Sequence, residues 1–277
     1  MQIEKLRSAA LAAAIVVSIA LSSAPSAAQQ PSAAKPAATG ATQSAPKSKD
    51  VMLAAIKALG GDEFFEPKPY TLSRSYVIHI SDDGPKTIKD NVSYKNRKYY
   101  CDSTVLIKRI GKPFNYKSIT DLDKNEMWDS EMGGAWKKAN YILTPDIPFF
   151  GKNIFNDLIF DGRVPQIVKK DNEEYYKVEV KFTDPKWKDW TRVYLINKSN
   201  NLVYEKHRVN EKESMHDIFM YKDYTKVGNI MVPQKILEYD AIHKKNGEMV
   251  LESEITLSNF TFRDDIPDSL FVVPTKK

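Results

Sequence analysis

The chain has 277 residues, of which 42% are hydrophobic and 28% charged, with a formal charge of +5 and a single cysteine. That length suits one large domain or two small ones. Its basic residues are interleaved with acids, as in Lys169-Lys170-Asp171 and Glu211-Lys212-Glu213, which reads as a solvated surface and excludes a nucleic-acid footprint; one cysteine excludes an internal disulfide.

The chain opens on a three-part export pattern. Lys5 and Arg7 precede an apolar run over residues 9–21, and Ser26-Ala27-Ala28 places small side chains where a signal peptidase reads them. Residues 1–28 are therefore expected to be a signal peptide, with Gln29 the mature N-terminus. An apolar run of about 13 residues is short of the roughly 20 that a membrane-spanning helix needs. The only cysteine, Cys101, lies deep in the chain, so lipid anchoring just after the leader is not expected; a buried structural thiol is. Residues 29–47 are rich in Pro, Ala and Lys and have little to bury, which predicts a disordered tether. A single folded domain is expected over residues 48–277.

The domain begins with a helix. Ser48 or Asp50 can cap it, Val51-Met52, Ala55-Ile56 and Leu59 recur at helical spacing, and Gly60-Gly61 ends it. Strands follow. Tyr70, Leu72, Tyr76, Ile78 and Ile80 alternate with Thr71, Ser73, Ser75 and His79, and Asp82-Asp83-Gly84-Pro85 is a turn. Residues 87–103 and 105–110 are further strand candidates. Residues 118–128 read as a hairpin with a polar tip, and Gly133-Gly134 turns the chain before Trp136. A second helix is expected from Thr144 and Pro145 to Gly162, with Ile147, Phe150, Ile154 and Leu158 in one stripe widened by Phe149, Phe155, Ile159 and Phe160. After it, Tyr176, Val178, Val180 and Phe182 alternate with charged residues in a half-buried strand. Strand candidates then run over 190–196, 202–209, 217–224, 230–239 and 249–262, with turns at Asn200-Asn201, Gly228-Asn229 and Asn246-Gly247. Short turns without intervening helices imply an antiparallel meander. The expected architecture is α+β: a curved antiparallel β-sheet of about ten strands, an open half-barrel whose helices cover its concave face.

Chemistry-bearing motifs are missing. No nucleophile elbow, phosphate loop, dinucleotide fingerprint or zinc-protease helix is present. His79, His207, His216 and His243 are scattered. Asp121, Asp123 and Asn125 resemble the start of a calcium loop, but Glu126 stands where glycine is required and Met132 where the closing acid belongs. Asp82-Asp83 and Asp264-Asp265 sit in turn-like contexts. The expectation is no catalytic residue, no metal, no cofactor and no enzyme.

The order of signal peptide, helix ending in Ala58-Leu59-Gly60-Gly61, strand meander, Phe-rich mid-chain helix and further strands resembles the outer-membrane lipoprotein-sorting proteins, the LolA-like carrier superfamily. The most specific stretches are residues 221–233, a strand, tight turn and strand ending at Pro233, and Ile266-Pro267-Asp268-Ser269-Leu270-Phe271-Val272-Val273-Pro274. Trp128 and Trp136 stand where relatives carry tryptophan in central strands and are candidate residues of the ligand cavity. The resemblance implies a half-barrel with a helical lid, holding acyl chains in its hollow and working as a monomer in the periplasm. It implies lipid or lipoprotein acyl chains as ligand, with an inner-membrane exporter and an outer-membrane receptor as partners. Greater length than those carriers and the N-terminal tether depart from the pattern. Phe149, Phe150, Ile154, Phe155 and Leu158 are the candidate lid; Val178, Val180, Phe182, Val193 and Leu195 are candidate walls. An envelope sensor or binding module acting through protein contacts is the alternative, and ordinary core packing accounts for each of these side chains as well.

Overall fold

The computed structural model describes residues 45–80, 84–139, 158–183, 189–210, 216–245 and 248–274. Two short helices come first, α1 (Ser48–Leu59) and α2 (Asp62–Phe65). Asp50 Oδ2 accepts the Lys47 backbone N–H at 3.2 Å and so closes the first turn of α1 from inside. Ser48, the other expected cap, is buried within the helix, where its hydroxyl donates to the Arg163 carbonyl at 3.0 Å. Gly60 and Gly61 end the helix at φ 133° and 63°, backbone angles that a side chain strongly disfavours.

The first half of the sheet is β1 (Tyr70–Ile78), β2 (Lys86–Lys95), β3 (Lys98–Ile107), β4 (Pro113–Asp121), β5 (Glu126–Glu131) and β6 (Lys137–Lys138). The second is β7 (Leu158–Phe160), β8 (Gln166–Lys170), β9 (Glu173–Phe182), β10 (Trp190–Asn197), β11 (Val203–Asn210), β12 (His216–Val227), β13 (Ile230–Lys245) and β14 (Glu248–Phe262). Among the described residues fourteen strands make one curved, unclosed antiparallel sheet in the order β6-β5-β4-β3-β2-β1-β14-β13-β12-β11-β10-β9-β7, with β8 also paired to β9. Two meanders thus meet where the first strand pairs with the last, with Tyr76 opposite Ile255.

The strands differ from the expected ten in their bounds as well as in number, β7 and β8 lying where no strand was expected. Residues 87–103 do not form one strand: Asn96 and Arg97 take φ of 49° and 60°, a two-residue turn, and β2 folds back on β3. Asp171 and Asn172, at φ 50° and 65°, make the same turn between β8 and β9. The expected helix running to Gly162 is also corrected, because Leu158, Ile159 and Phe160 are strand residues paired with Phe182, Lys181 and Val180. Ile147, Phe149, Phe150, Ile154 and Phe155 lie outside the described residues. The tail beyond β14 carries a 3-10 turn, Asp268–Phe271, anchored by Lys95 Nζ to the Ile266 carbonyl at 2.8 Å.

The core lies between α1 and one face of the sheet. Val51, Met52, Ala55, Ile56 and Leu59 are each at most 5% exposed, and α1 packs on β9, β10 and β13. Burying each of the larger side chains stabilises the fold by about 1.5–3 kcal/mol.

Candidate functional site

Strand alternation and register decide which side chains share the face under α1. Val178 lies opposite Tyr194, Tyr221 opposite Ile236, Ile236 opposite Ile255, and Tyr70 opposite Tyr94. All belong to one buried cluster with Leu72, Val92, Val180, Ile196 and Leu257. Aromatic rings line its middle: Tyr70 stacks on Tyr94 at 4.9 Å and on Phe260 at 4.7 Å, and Tyr94 leans on Tyr99 at 4.9 Å. Such pairs add about 0.5–1.5 kcal/mol each beyond area burial. Burial pushes Tyr194 up to about 12 and Tyr70 well above the ordinary phenol value, so both stay neutral hydroxyls.

The structure divides the sequence-expected wall residues between two faces. Val178 (0% exposed), Val180 and Leu158 belong to the core under α1, and Phe182 packs against it. Leu158 does so from β7, not from a helix. Val193 and Leu195 are buried too, but on the opposite face: they stand across from Glu179 and Lys177, whereas their neighbours Tyr194 and Ile196 point to the core. They are corrected from walls of the hollow to parts of the outer face. Ile218, Met220 and Leu237 form a second apolar cluster, and register puts it on that outer face, Glu205 pairing with both Leu195 and Met220. Trp128 is corrected likewise. It pairs with Ile119, while Met127 pairs with Thr120 in the row that continues to Tyr99. Trp136 is half-buried between β5 and β6, in neither row. The lid residues Phe149, Phe150, Ile154 and Phe155 are not among the described residues.

Sequence reasoning expected helices to cover the face, as α1 does, but missed Tyr70, Leu72, Tyr94, Ile255 and Leu257 as members of the buried cluster on it. The alternation of Tyr70, Leu72 and Tyr76 carried that signal. It also missed Glu205, only 3% exposed on the outer face, which takes hydrogen bonds from Lys170 Nζ at 2.5 Å and from His207. Burial alone raises the Glu205 carboxyl, but those two bonds outweigh it and hold the group below the usual carboxylate range.

A cleft of about 420 Å³ opens at the end of the sheet where the 170–173 and 197–202 turns meet β12. Its lining mixes Asp171, Glu173 and Asp223 with Tyr175, Leu202 and Val203. Among the described residues no group of three or more His, Cys, Asp or Glu is placed to hold a metal ion. No described helix is long and apolar enough to cross a membrane.

Neither a protein-family model nor a curated protein matches the sequence. Solved structures do match its fold. A LolA superfamily protein from Nitrosomonas europaea superposes with a TM-score of 0.52 at 18% identity, over 82% of this chain and 98% of that one. The fold is LolA-like. A domain from Vibrio parahaemolyticus described as an outer membrane lipoprotein-sorting protein gives a TM-score of 0.54 at 8% identity, over 81% of this chain and 97% of its own. A DUF1329 family protein from Desulfovibrio piger gives 0.52 at 10%, over 80% and 97%. The LolA-like fold therefore spans most of this chain, as the sequence resemblance implied.

Proposed function

We propose that the protein is a non-enzymatic carrier, exported to the periplasm, that holds a lipid or the acyl chains of a lipoprotein against the concave face of its sheet. The observation that carries this reading is a curved sheet, unclosed among the described residues, whose inner face bears a large apolar and aromatic cluster, with α1 packed on β9, β10 and β13. An acyl chain left in water costs about 0.8 kcal/mol per CH₂. A carrier needs only an apolar hollow and a cover that moves, with no reacting group. The LolA-like neighbours support the same reading by fold alone.

Native mass spectrometry of protein exported in a Gram-negative host tests it. The expected result is co-purifying lipid, with uptake of a fluorescent fatty acid after delipidation. A bare mass together with no uptake would overturn the proposal.

One observation favours the alternative of a module that works through protein contacts. Ile159, Val164 and Ile167 are 50%, 55% and 49% exposed along the β7–β8 border, where β8 pairs, among the described residues, with β9 alone. An apolar strand edge of this kind suits an incoming strand from a partner such as an exporter or receptor. Capture of a stable protein partner that Ile167→Lys abolishes, with no lipid bound, would select this reading over the carrier.

A further inference from the structure

The concave face is not apolar throughout. Beyond α1, on β1–β5, it carries a polar band. Arg74 lies opposite Asp90, Asp90 opposite Ser103, Cys101 opposite Ser118, and Ser118 opposite Asp129. Alternation puts this band on the same face as Leu72 and Tyr76 of the core cluster. Arg74, Asp90, Ser103, Ser118 and Asp129 are 9%, 5%, 4%, 3% and 2% exposed. Arg74 Nη2 donates to Asp90 Oδ2 at 2.8 Å, and the guanidinium lies 5.2 Å from the Tyr76 ring centre. Tyr116 donates to Asp129 Oδ2 at 3.5 Å. Lys137, opposite Asp129 on the edge strand, is exposed.

The second oxygen of Asp90 decides what the band is for. Oδ1 is enclosed and accepts no hydrogen bond. A buried acceptor left open is destabilising by about 1–3 kcal/mol, and more when charged. Arg74 takes up the other oxygen, Oδ2, which leaves Oδ1 as the open acceptor of the pair. A donor with positive charge satisfies it best. Apolar surface on one side (Leu72, Val92, Leu257) and a carboxylate with an open oxygen on the other has the polarity of an amphiphile.

We infer that the band seats the head group of the carried amphiphile, a head group with a primary ammonium, which donates to Asp90 Oδ1 while the tails lie on the apolar half of the same face. The inference rests on the carrier reading and adds the class of lipid.

The test uses the mature chain and vesicles of phosphatidylethanolamine and phosphatidylcholine in equal amounts with identical acyl chains. The two lipids differ in that methylation removes the N–H donors. Extracted lipid is weighed by mass spectrometry. The expected enrichment of phosphatidylethanolamine is about tenfold, the ratio one well-placed hydrogen bond gives. The double variant Arg74→Met with Asp90→Leu replaces the ion pair by apolar groups of similar size, an exchange that folds often tolerate. It is expected to lose the enrichment of phosphatidylethanolamine. Equal extraction of both lipids by the unaltered chain, or enrichment that survives the double variant, overturns the head-group assignment and leaves the carrier standing. Extraction of neither lipid overturns both. A readout that needs no variant is Cys101, whose Sγ lies 3.8 Å from Arg74 Nη2. Loading with phosphatidylethanolamine should slow its alkylation by a maleimide about tenfold relative to loading with phosphatidylcholine; equal rates count against the assignment.

Discussion

Replacing Leu59 by alanine tests whether α1 is a fixed wall or a movable cover. Leu59 ends α1 and is 1% exposed in the core cluster. The substitution removes three carbons, about 2.4 kcal/mol of transfer energy at about 0.8 kcal/mol each. The surroundings have little freedom to close the gap. A Cβ built on Gly60, the next residue, would lie 3.1 Å from both the Asn229 carbonyl oxygen and Ile230 Cα, so the helix end already touches the start of β13. A residual cavity therefore adds to the loss, for a total of about 3–4 kcal/mol. For a domain of this size that lowers Tm by about 6–16 °C. Urea and thermal unfolding followed by circular dichroism give the number. A loss below about 1 kcal/mol would refute the packing argument and make α1 a loosely seated lid. The expected loss makes α1 part of the permanent wall and requires the moving part to be elsewhere.

Gly228→Ala puts a side chain at φ 60° and a Cβ 2.9 Å from the Phe262 ring, so a loss of about 2 kcal/mol is expected in the same unfolding assays. Tyr224→Phe removes the hydroxyl that donates to the Val203 carbonyl at 2.7 Å and should cost about 1 kcal/mol. Glu205 has a folded carboxyl held below its unfolded value of about 4.3, so its stabilisation is present above that pH and lost as pH falls through the folded pKa. Glu205→Gln should flatten this acid limb, seen as a smaller difference in urea midpoint between neutral and acid buffer; an unchanged difference would remove Glu205 from the account.

Much of the fold was legible because local and global signals agreed. The alternation in β9, the glycine stop after α1 and the turn at Gly228-Asn229 are all present as read. The signals failed where a backbone did something its residue types do not announce. Arg97 in a left-handed turn is held by its Nε bond to Asp123 Oδ1 at 2.5 Å, a contact between residues 26 apart that propensity cannot foresee. Leu158, Ile159 and Phe160 fit a helical stripe and a short strand equally well, because three consecutive apolar residues satisfy either period; pairing with β9 decides.

The candidate site was half legible for a related reason. Strand β10 buries Val193, Tyr194, Leu195 and Ile196 in succession, so a period of two residues cannot say which pair faces the hollow; the registers with β9 and β11 can. A sheet with two buried faces loses the information that a half-exposed one carries. Arg74 is the converse. It interrupts the stripe of Tyr70, Leu72 and Tyr76 between two residues of the core face, and it is buried with its partner Asp90. Replacing a buried ion pair with apolar residues is often neutral or stabilising, so stability alone does not account for this one. A polar break inside an otherwise consistent apolar face marks where the chain departs from the best-packed solution, and under the carrier proposal that departure lies where the two unlike ends of a lipid would be told apart.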